Sequence, residues 1–159
     1  MRNKNLCARK FKKIQGFTLI EIMIAVAIVG ILSAIAYPNY ASYVQRGKLM
    51  EASTALLSLR TSMEQYYQDN RTYATVGAPI ISPCDPTKMP VMKGFDMTCQ
   101  FGTPPEGFTA KATGKSSSAN TKDFEYRITN TGAQSSTVGP AWGGGNLPCW
   151  IMKKEDTCT

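Results

Sequence analysis

Hydrophobic and polar positions divide the chain into stretches with different periods. From Phe17 to Ala36, twenty residues carry one charge, Glu21, and two hydroxyls, Thr18 and Ser33. This uniform apolarity predicts a helix that is greasy all round, ~30 Å long at ~1.5 Å per residue, about one bilayer core. Gly30 and Pro38 are its helix-weakening points. Beyond Pro38 the pattern becomes periodic. Leu49, Ala52, Leu56, Leu59, Met63 and Tyr66 recur at spacings of three and four, with Glu51, Ser53, Arg60, Thr61, Glu64 and Gln65 between them. That is one face of an amphipathic helix ending near Asp69. Joined, the two parts make one helix from about Phe17 to Asp69, roughly 80 Å long.

The stretch after the helix reads as a loop over 70–93, broken by Gly77, Pro79, Pro83, Pro86 and Pro90. Three strand-like runs follow: GFDMTCQF ending at Phe101, GFTAKATG from Gly107 and FEYRIT from Phe124. In the last two, apolar and polar residues roughly alternate. SSSANTK and NTGAQSS supply turns between them, which favours an antiparallel meander over parallel βαβ units. The tail, GPAWGGGNLPCWIMKKEDTCT, offers little regular structure. The expected fold is α+β: a long N-terminal helix whose amphipathic half packs on a small antiparallel sheet. Leu49, Leu56, Leu59, Met63 and Tyr66 should form its core, opposite Phe95, Phe101, Phe108, Phe124 and Tyr126.

Charge changes this picture only at the N-terminus. The net charge is +7, but six of the 18 basic residues (Arg2, Lys4, Arg9, Lys10, Lys12 and Lys13) precede Phe17, where there is no acid. Twelve basic residues then face 11 acidic ones, so the remainder is nearly neutral and a nucleic-acid partner is not expected from charge. A basic block before an apolar helix predicts a cytoplasmic leader and a translocated head. The rival patch for DNA would be Lys111, Lys115 and Lys122, with Trp142 or Trp150 stacking on bases. Enzymatic activity is not expected: histidine is absent, no Gly-rich phosphate loop occurs, and Asp123 and Glu125 alternate on a strand. No cofactor is implied. Of five cysteines, Cys7 lies in the basic leader and Cys84, Cys99, Cys149 and Cys158 in the C-terminal half. Their spacing is too wide for the tight pairs of a thiolate zinc site, so disulfides and an oxidising compartment are expected, with no metal.

Glu21 is the odd residue of the apolar stretch. An acid at the centre of a membrane helix costs about 2.5–3.5 kcal/mol, less toward the end, and a plain anchor gains nothing from it. A conventional secretory signal cut after Ala34-Ile35-Ala36 would have a long, acidic hydrophobic region and leave a proline second in the mature chain. Removal of the basic leader alone, between Gly16 and Phe17, leaves the apolar helix on the protein.

The residues GFTLIEIMIAVAIVGILSAIAYPNYASY resemble the N-terminal signature of type IV prepilins, the PilE-like pilins of Gram-negative bacteria in particular, with a minor subunit favoured. The resemblance covers some thirty residues (Gly16, Phe17, Glu21, Gly30 and Pro38 all match) and extends to the C-terminal half only in layout. It implies that a prepilin peptidase removes residues 1–16 and methylates the Phe17 amine. Residues 17–42 would then form the transmembrane and filament-core helix and 43–159 the pilin head. That head would comprise an amphipathic helix over about 43–69, the loop, and the sheet and tail over about 94–159. Glu21 would meet the Phe17 amine of a neighbouring subunit and select register. The stretch between Gly30 and Pro38 would unwind on assembly. Pilins often close a C-terminal loop by disulfide, which favours Cys149–Cys158 and hence Cys84–Cys99. The loop between Cys149 and Cys158 would display Lys153, Lys154, Glu155 and Asp156.

The function implied is a structural pilus subunit for adhesion, twitching motility or DNA uptake. Its expected partners are other pilin subunits, the peptidase and the inner-membrane assembly platform. It would begin as a single-pass inner-membrane precursor with a periplasmic head and end in a surface pilus. Two alternatives remain: a type II secretion pseudopilin, which the disulfide-closed tail disfavours, and a secreted or anchored domain with affinity for DNA. Asn70-Arg71-Thr72 fits a glycosylation triplet and is assigned no role.

Overall fold

The structure is a computed structural model that describes residues 16–102 and 107–158. The basic leader up to Gln15, Cys7 included, lies outside the described residues. The helix α1 spans Leu19–Asn70, and Gly30 and Pro38 fall inside it without interrupting it. The chain divides into two units, the first ending at Asn39 and the second beginning at Tyr40. In the first unit, every large apolar side chain from Leu19 to Ile35 is at least half exposed. This stretch of α1 has the length and apolarity to cross a membrane.

The second unit carries the core. On α1, Leu49, Ala52, Leu56, Leu59, Met63 and Tyr66 are buried along one face, as their spacing predicts. They meet an antiparallel sheet of five strands in sequential order, β1 (Phe95–Phe101), β2 (Phe108–Gly114), β3 (Glu125–Thr129), β4 (Gln134–Val138) and β5 (Gly145–Leu147). Alternation on β2 buries Phe108, Ala110 and Ala112 and turns Thr109, Lys111 and Thr113 outward. The two alanines keep the centre of the inner face low, and Phe95, Tyr126 and Ile128 complete it from the flanking strands.

Three expectations need correction. Phe101 is not a core residue: it ends β1 and is 41% exposed. NTGAQSS is not only a turn, because Gln134–Val138 is β4. The tail contributes a 3-10 turn at Pro140–Trp142 and the short strand β5. The cause is common to the two strands. Both are polar, and β4 buries Ser136 where alternation leads one to expect an apolar side chain.

The loop after α1 is held by buried hydroxyls rather than by regular structure. The Tyr66 hydroxyl donates to the Ala74 carbonyl and accepts from the Val76 amide. Ser82, fully buried, donates to the Tyr73 carbonyl at 2.7 Å and accepts from the Cys84 amide. Cys84 is bonded to Cys99 on β1, tying this loop to the sheet.

Gly114, at the end of β2, has the tightest surroundings of any described glycine. A Cβ there would sit 1.7 Å from the carbonyl oxygen of Thr121, whose own hydroxyl is buried and donates to Gly94. Gly114→Ala should therefore force the 115–121 turn off the sheet and cost about 1–3 kcal/mol, as overpacking does. Thermal unfolding of the variant, compared with Gly47→Ala at an exposed helical position with open space, checks this.

Candidate functional site

Two places in the molecule carry chemistry: the start of α1, and the outer face of the sheet with the tail beside it.

At the start of α1, Thr18 precedes the first helical residue. Its hydroxyl accepts from the Glu21 amide at 3.3 Å, while a Glu21 carboxylate oxygen accepts from the Thr18 amide at 3.4 Å. This is the reciprocal arrangement of a capping box, with threonine at the N-cap and glutamate three residues on. Glu21 also faces the positive end of the helix dipole, which favours a negative charge there. The carboxylate thus has a local role within one subunit that its reading as an intermolecular partner missed. The Thr-x-x-Glu spacing was the available signal. Phe17 is 80% exposed, and around Gly16 there is open space at the position a Cβ would take. Gly30 is likewise open, with nothing near it that a side chain would touch.

The outer sheet face is built by register. Thr98 on β1, Lys111 on β2, Arg127 on β3 and Ser135 on β4 are successive cross-strand partners and form one row. The next row is Asp96, Thr113, Glu125 and Thr137. Here the acids have partners: Asp96 pairs with Lys115 at 3.3 Å, and Glu125 pairs with Arg127 and accepts from Thr113. Of the three lysines expected to form a basic patch, Lys115 is thus engaged by Asp96 and also donates to the Met92 carbonyl. Lys122 is exposed in the turn before β3. Lys111 faces outward next to Arg127, a residue the expected patch omitted. Neither tryptophan is a free stacking platform. Trp142 packs edge-on against Phe124, centroids 4.9 Å apart. Trp150 packs against Tyr126 and donates its indole N–H to the Arg127 carbonyl at 2.8 Å.

That indole bond brings the tail to β3. Cys149 and Cys158 are bonded, with Cα atoms 5.6 Å apart. The loop they close is anchored from within: Ser136 donates to the Cys149 carbonyl and Tyr126 to the Ile151 carbonyl, at 2.7 and 2.6 Å. Asp156 accepts from the Met152 and Lys153 amides and shapes the turn that leaves Lys153 and Lys154 exposed. Burial, with the Asp156 charge as a smaller cause, holds the Tyr126 hydroxyl far above its ordinary pKa. In the opposite direction, Asp85 is held below its usual range because the Thr87 hydroxyl and amide both donate to it. Among the described residues, no three side chains of the metal-binding types come together.

This architecture, an apolar helix leading into an amphipathic half that carries a meander and a disulfide-closed tail, is that of a type IV pilin. Residues 11–37 match the prokaryotic N-terminal methylation motif. Residues 38–137, more than half of the chain, match the family described as type IV minor pilin ComP, DNA uptake sequence receptor, and the chain belongs to that family. Among curated proteins, it is 48% identical over 60 residues to a fimbrial protein of Moraxella nonliquefaciens, covering 38% of this chain and 39% of that protein. It is also 41% identical over 75 residues to the "Probable minor fimbrial protein" of Dichelobacter nodosus, covering 47% and 45% respectively. Both matches span less than half of those relatives. A crystal structure of the non-core minor pilin PilV of Neisseria meningitidis shares the fold, with a TM-score of 0.50 and 23% identity over 62% of this chain and 91% of that one.

The Tyr126 hydroxyl ties the sheet to the tail, so Tyr126→Phe should strand the Ile151 carbonyl and cost about 1–3 kcal/mol. The raised pKa adds a pH signature with a definite sign. The neutral phenol is favoured in the fold, so its contribution is complete below the unfolded value of about 10 and lost as pH climbs above it. Denaturant unfolding at pH 8 and pH 11 should show a smaller alkaline loss in Tyr126→Phe than in the parent chain.

Proposed function

We propose that this chain is a minor pilin whose head binds DNA during uptake. Membership of the ComP family over 38–137 carries the reading. The near-neutral total from Phe17 onward speaks against a nucleic-acid partner, but it averages over the whole head. What DNA would meet is the outer sheet face, where Lys111 stands beside Arg127, a cation a phosphate would share with Glu125, together with Lys153 and Lys154 on the anchored tail. Phosphates are bound by local basic groups and release counterions, so the contact should be steeply salt-dependent. On this reading, Lys111→Ala with Arg127→Ala in the full chain, held in detergent micelles, weakens binding to duplex DNA. The pair also lowers the slope of log K against log salt by about 2. Gel shifts across a salt series read both effects. An unchanged slope would remove these two residues from the interface.

The reading includes a maturation route. The precursor would sit in the inner membrane with its head in the periplasm. Prepilin peptidase would cut between Gly16 and Phe17 and methylate the new amine. The assembly platform would then draw residues 17–42 into the core of a pilus among other pilins, with Gly30 and Pro38 bounding the stretch of α1 that yields. Glu21 would meet the Phe17 amine of a neighbour there. Capping and pairing are separable, because glutamine fills the capping-box position as well as glutamate does but carries no charge. Glu21→Gln should leave an N-terminus of methylated Phe17, seen by mass spectrometry, while its incorporation into sheared pili falls. Incorporation at the parental level would mean that capping is all Glu21 does.

A further inference from the structure

The turns on either side of β3 meet α1 at different heights. In the turn before β4, the Asn130 carbonyl accepts from Arg60. In the turn before β3, the Asn120 carbonyl accepts from Gln45 at 2.7 Å and the Ser118 hydroxyl from Lys48 at 3.1 Å. The turn over 115–122 therefore marks the end of the head at which α1 enters it. This turn is firmly built. Thr121 is fully buried and donates to the Gly94 carbonyl at 2.8 Å, and the Ser118 carbonyl accepts from the Thr121 and Lys122 amides.

The same end is basic. Gly94 and Thr121 pack around the Lys48 stem, since a Cβ on Gly94 would lie 3.1 Å from Lys48 Cδ and 3.4 Å from Thr121 Cγ2. Lys93 and Lys122 adjoin those two residues in sequence and are exposed, as is Arg46 on α1. Lys115 holds Asp96 at 3.3 Å, which leaves Glu51 and Asp123 against the four cations Arg46, Lys48, Lys93 and Lys122. Below them on α1, Tyr40 and Tyr43 are 70% and 77% exposed. Tyrosine is enriched at membrane–water interfaces, where its ring meets the apolar layer and its hydroxyl the polar one.

We propose that this end of the head docks on anionic phospholipid headgroups of the leaflet that α1 leaves. The inference rests on the reading of the chain as a membrane-held precursor spanning the bilayer with its apolar stretch. Connectivity then fixes the neighbourhood: Tyr40, four residues past Ala36, lies no more than about 14 Å from it. Lys48 is about 12 Å further along the helix, a gap that a lysine side chain and a Debye length of ~8 Å span together. Each basic residue close to an anionic surface shifts the docked-to-undocked ratio about fivefold. A DNA duplex would have to enter the gap beneath the head, whereas lipid phosphates are held there by the chain's own span. None of the four cations belongs to the row of Lys111 and Arg127, so the two surfaces can be tested apart.

The test uses the full chain, in a Cys7→Ser background with a fluorophore on Ser117→Cys, an exposed position of the turn. It is reconstituted in vesicles of phosphatidylcholine alone, or of equal parts phosphatidylcholine and phosphatidylglycerol, each carrying a headgroup nitroxide as quencher. Quenching should be about twofold stronger with phosphatidylglycerol and return to the phosphatidylcholine level in high salt. Arg46→Gln with Lys93→Gln and Lys122→Gln, all exposed, should lower the docked-to-undocked ratio about a hundredfold and abolish the difference between the lipids. Lys111→Gln with Arg127→Gln should leave it intact. A chain that resists alkaline carbonate extraction yet is quenched equally in both lipids would overturn docking and leave the membrane-held precursor standing; a chain that carbonate extracts would overturn both. If the triple variant keeps its lipid dependence but loses duplex DNA binding in gel shifts, the cluster is a DNA surface and docking is overturned.

Discussion

The head of this pilin depends on one contact: the buried stripe of α1 against the alanine-centred inner face of β2. Leu49, Leu56 and Met63 lie about two turns apart along that stripe and are fully buried. Ala110 and Ala112 give them room to approach the sheet, while the larger side chains Phe95, Phe108, Tyr126 and Ile128 close the space around them. Burying a large apolar side chain contributes roughly 1.5–3 kcal/mol, so this face outweighs any polar contact in the head. The other parts follow from it. The loop after α1 folds back because Tyr66 and Ser82 satisfy its backbone, and the tail folds back because Tyr126 and Ser136 do the same.

The two units of α1 meet opposite solvents with the same backbone. From Leu49 onward the helix buries one face within its own chain; from Leu19 to Leu32 its large apolar side chains are at least half exposed. A helix of that kind is stable where lipid or other apolar helices surround it, which is the situation of a pilin before and after assembly. The capping box at Thr18 and Glu21 fits this demand. In hydrocarbon the first amides of a helix have no water to bond, so each side-chain acceptor at the N-terminus counts for more than it would on a soluble domain.

How far the fold can be read from residues depends on how apolar the element is. The helix face and β1 to β3 are visible because their buried positions are hydrophobic and recur at the right period. β4 is hidden because Gln-Ser-Ser-Thr-Val alternates in burial without alternating in polarity. Its buried Ser136 is chosen for the carbonyl of Cys149, a partner that no local pattern announces. Phe101 misleads for the converse reason: an aromatic at a strand end reads as core, yet the sheet edge leaves it open. The candidate sites divide in the same way. A contiguous motif such as Gly16-Phe17 with Glu21 is legible in one dimension, whereas the row Thr98, Lys111, Arg127 and Ser135 exists only once four strands are in register.

Charge is the quantity for which the difference between a sum and an arrangement matters most. A total near zero excludes a DNA-binding face only if basic and acidic groups are mixed at every point of the surface. On this head the fold sorts them. Along the outer sheet, Asp96 and Glu125 stand in one row and are bound by Lys115, Arg127 and Thr113, while the adjoining row presents Lys111 and Arg127 among hydroxyls. A phosphate approaching that second row meets Lys111 directly and competes with Glu125 for Arg127, whose guanidinium that acid already holds. Charges of the head more than about one Debye length away, ~8 Å at physiological salt, matter little there, so the local balance among Lys111, Arg127 and Glu125 decides the attraction. The head can therefore be nearly neutral as a whole and still attract a polyanion at one face.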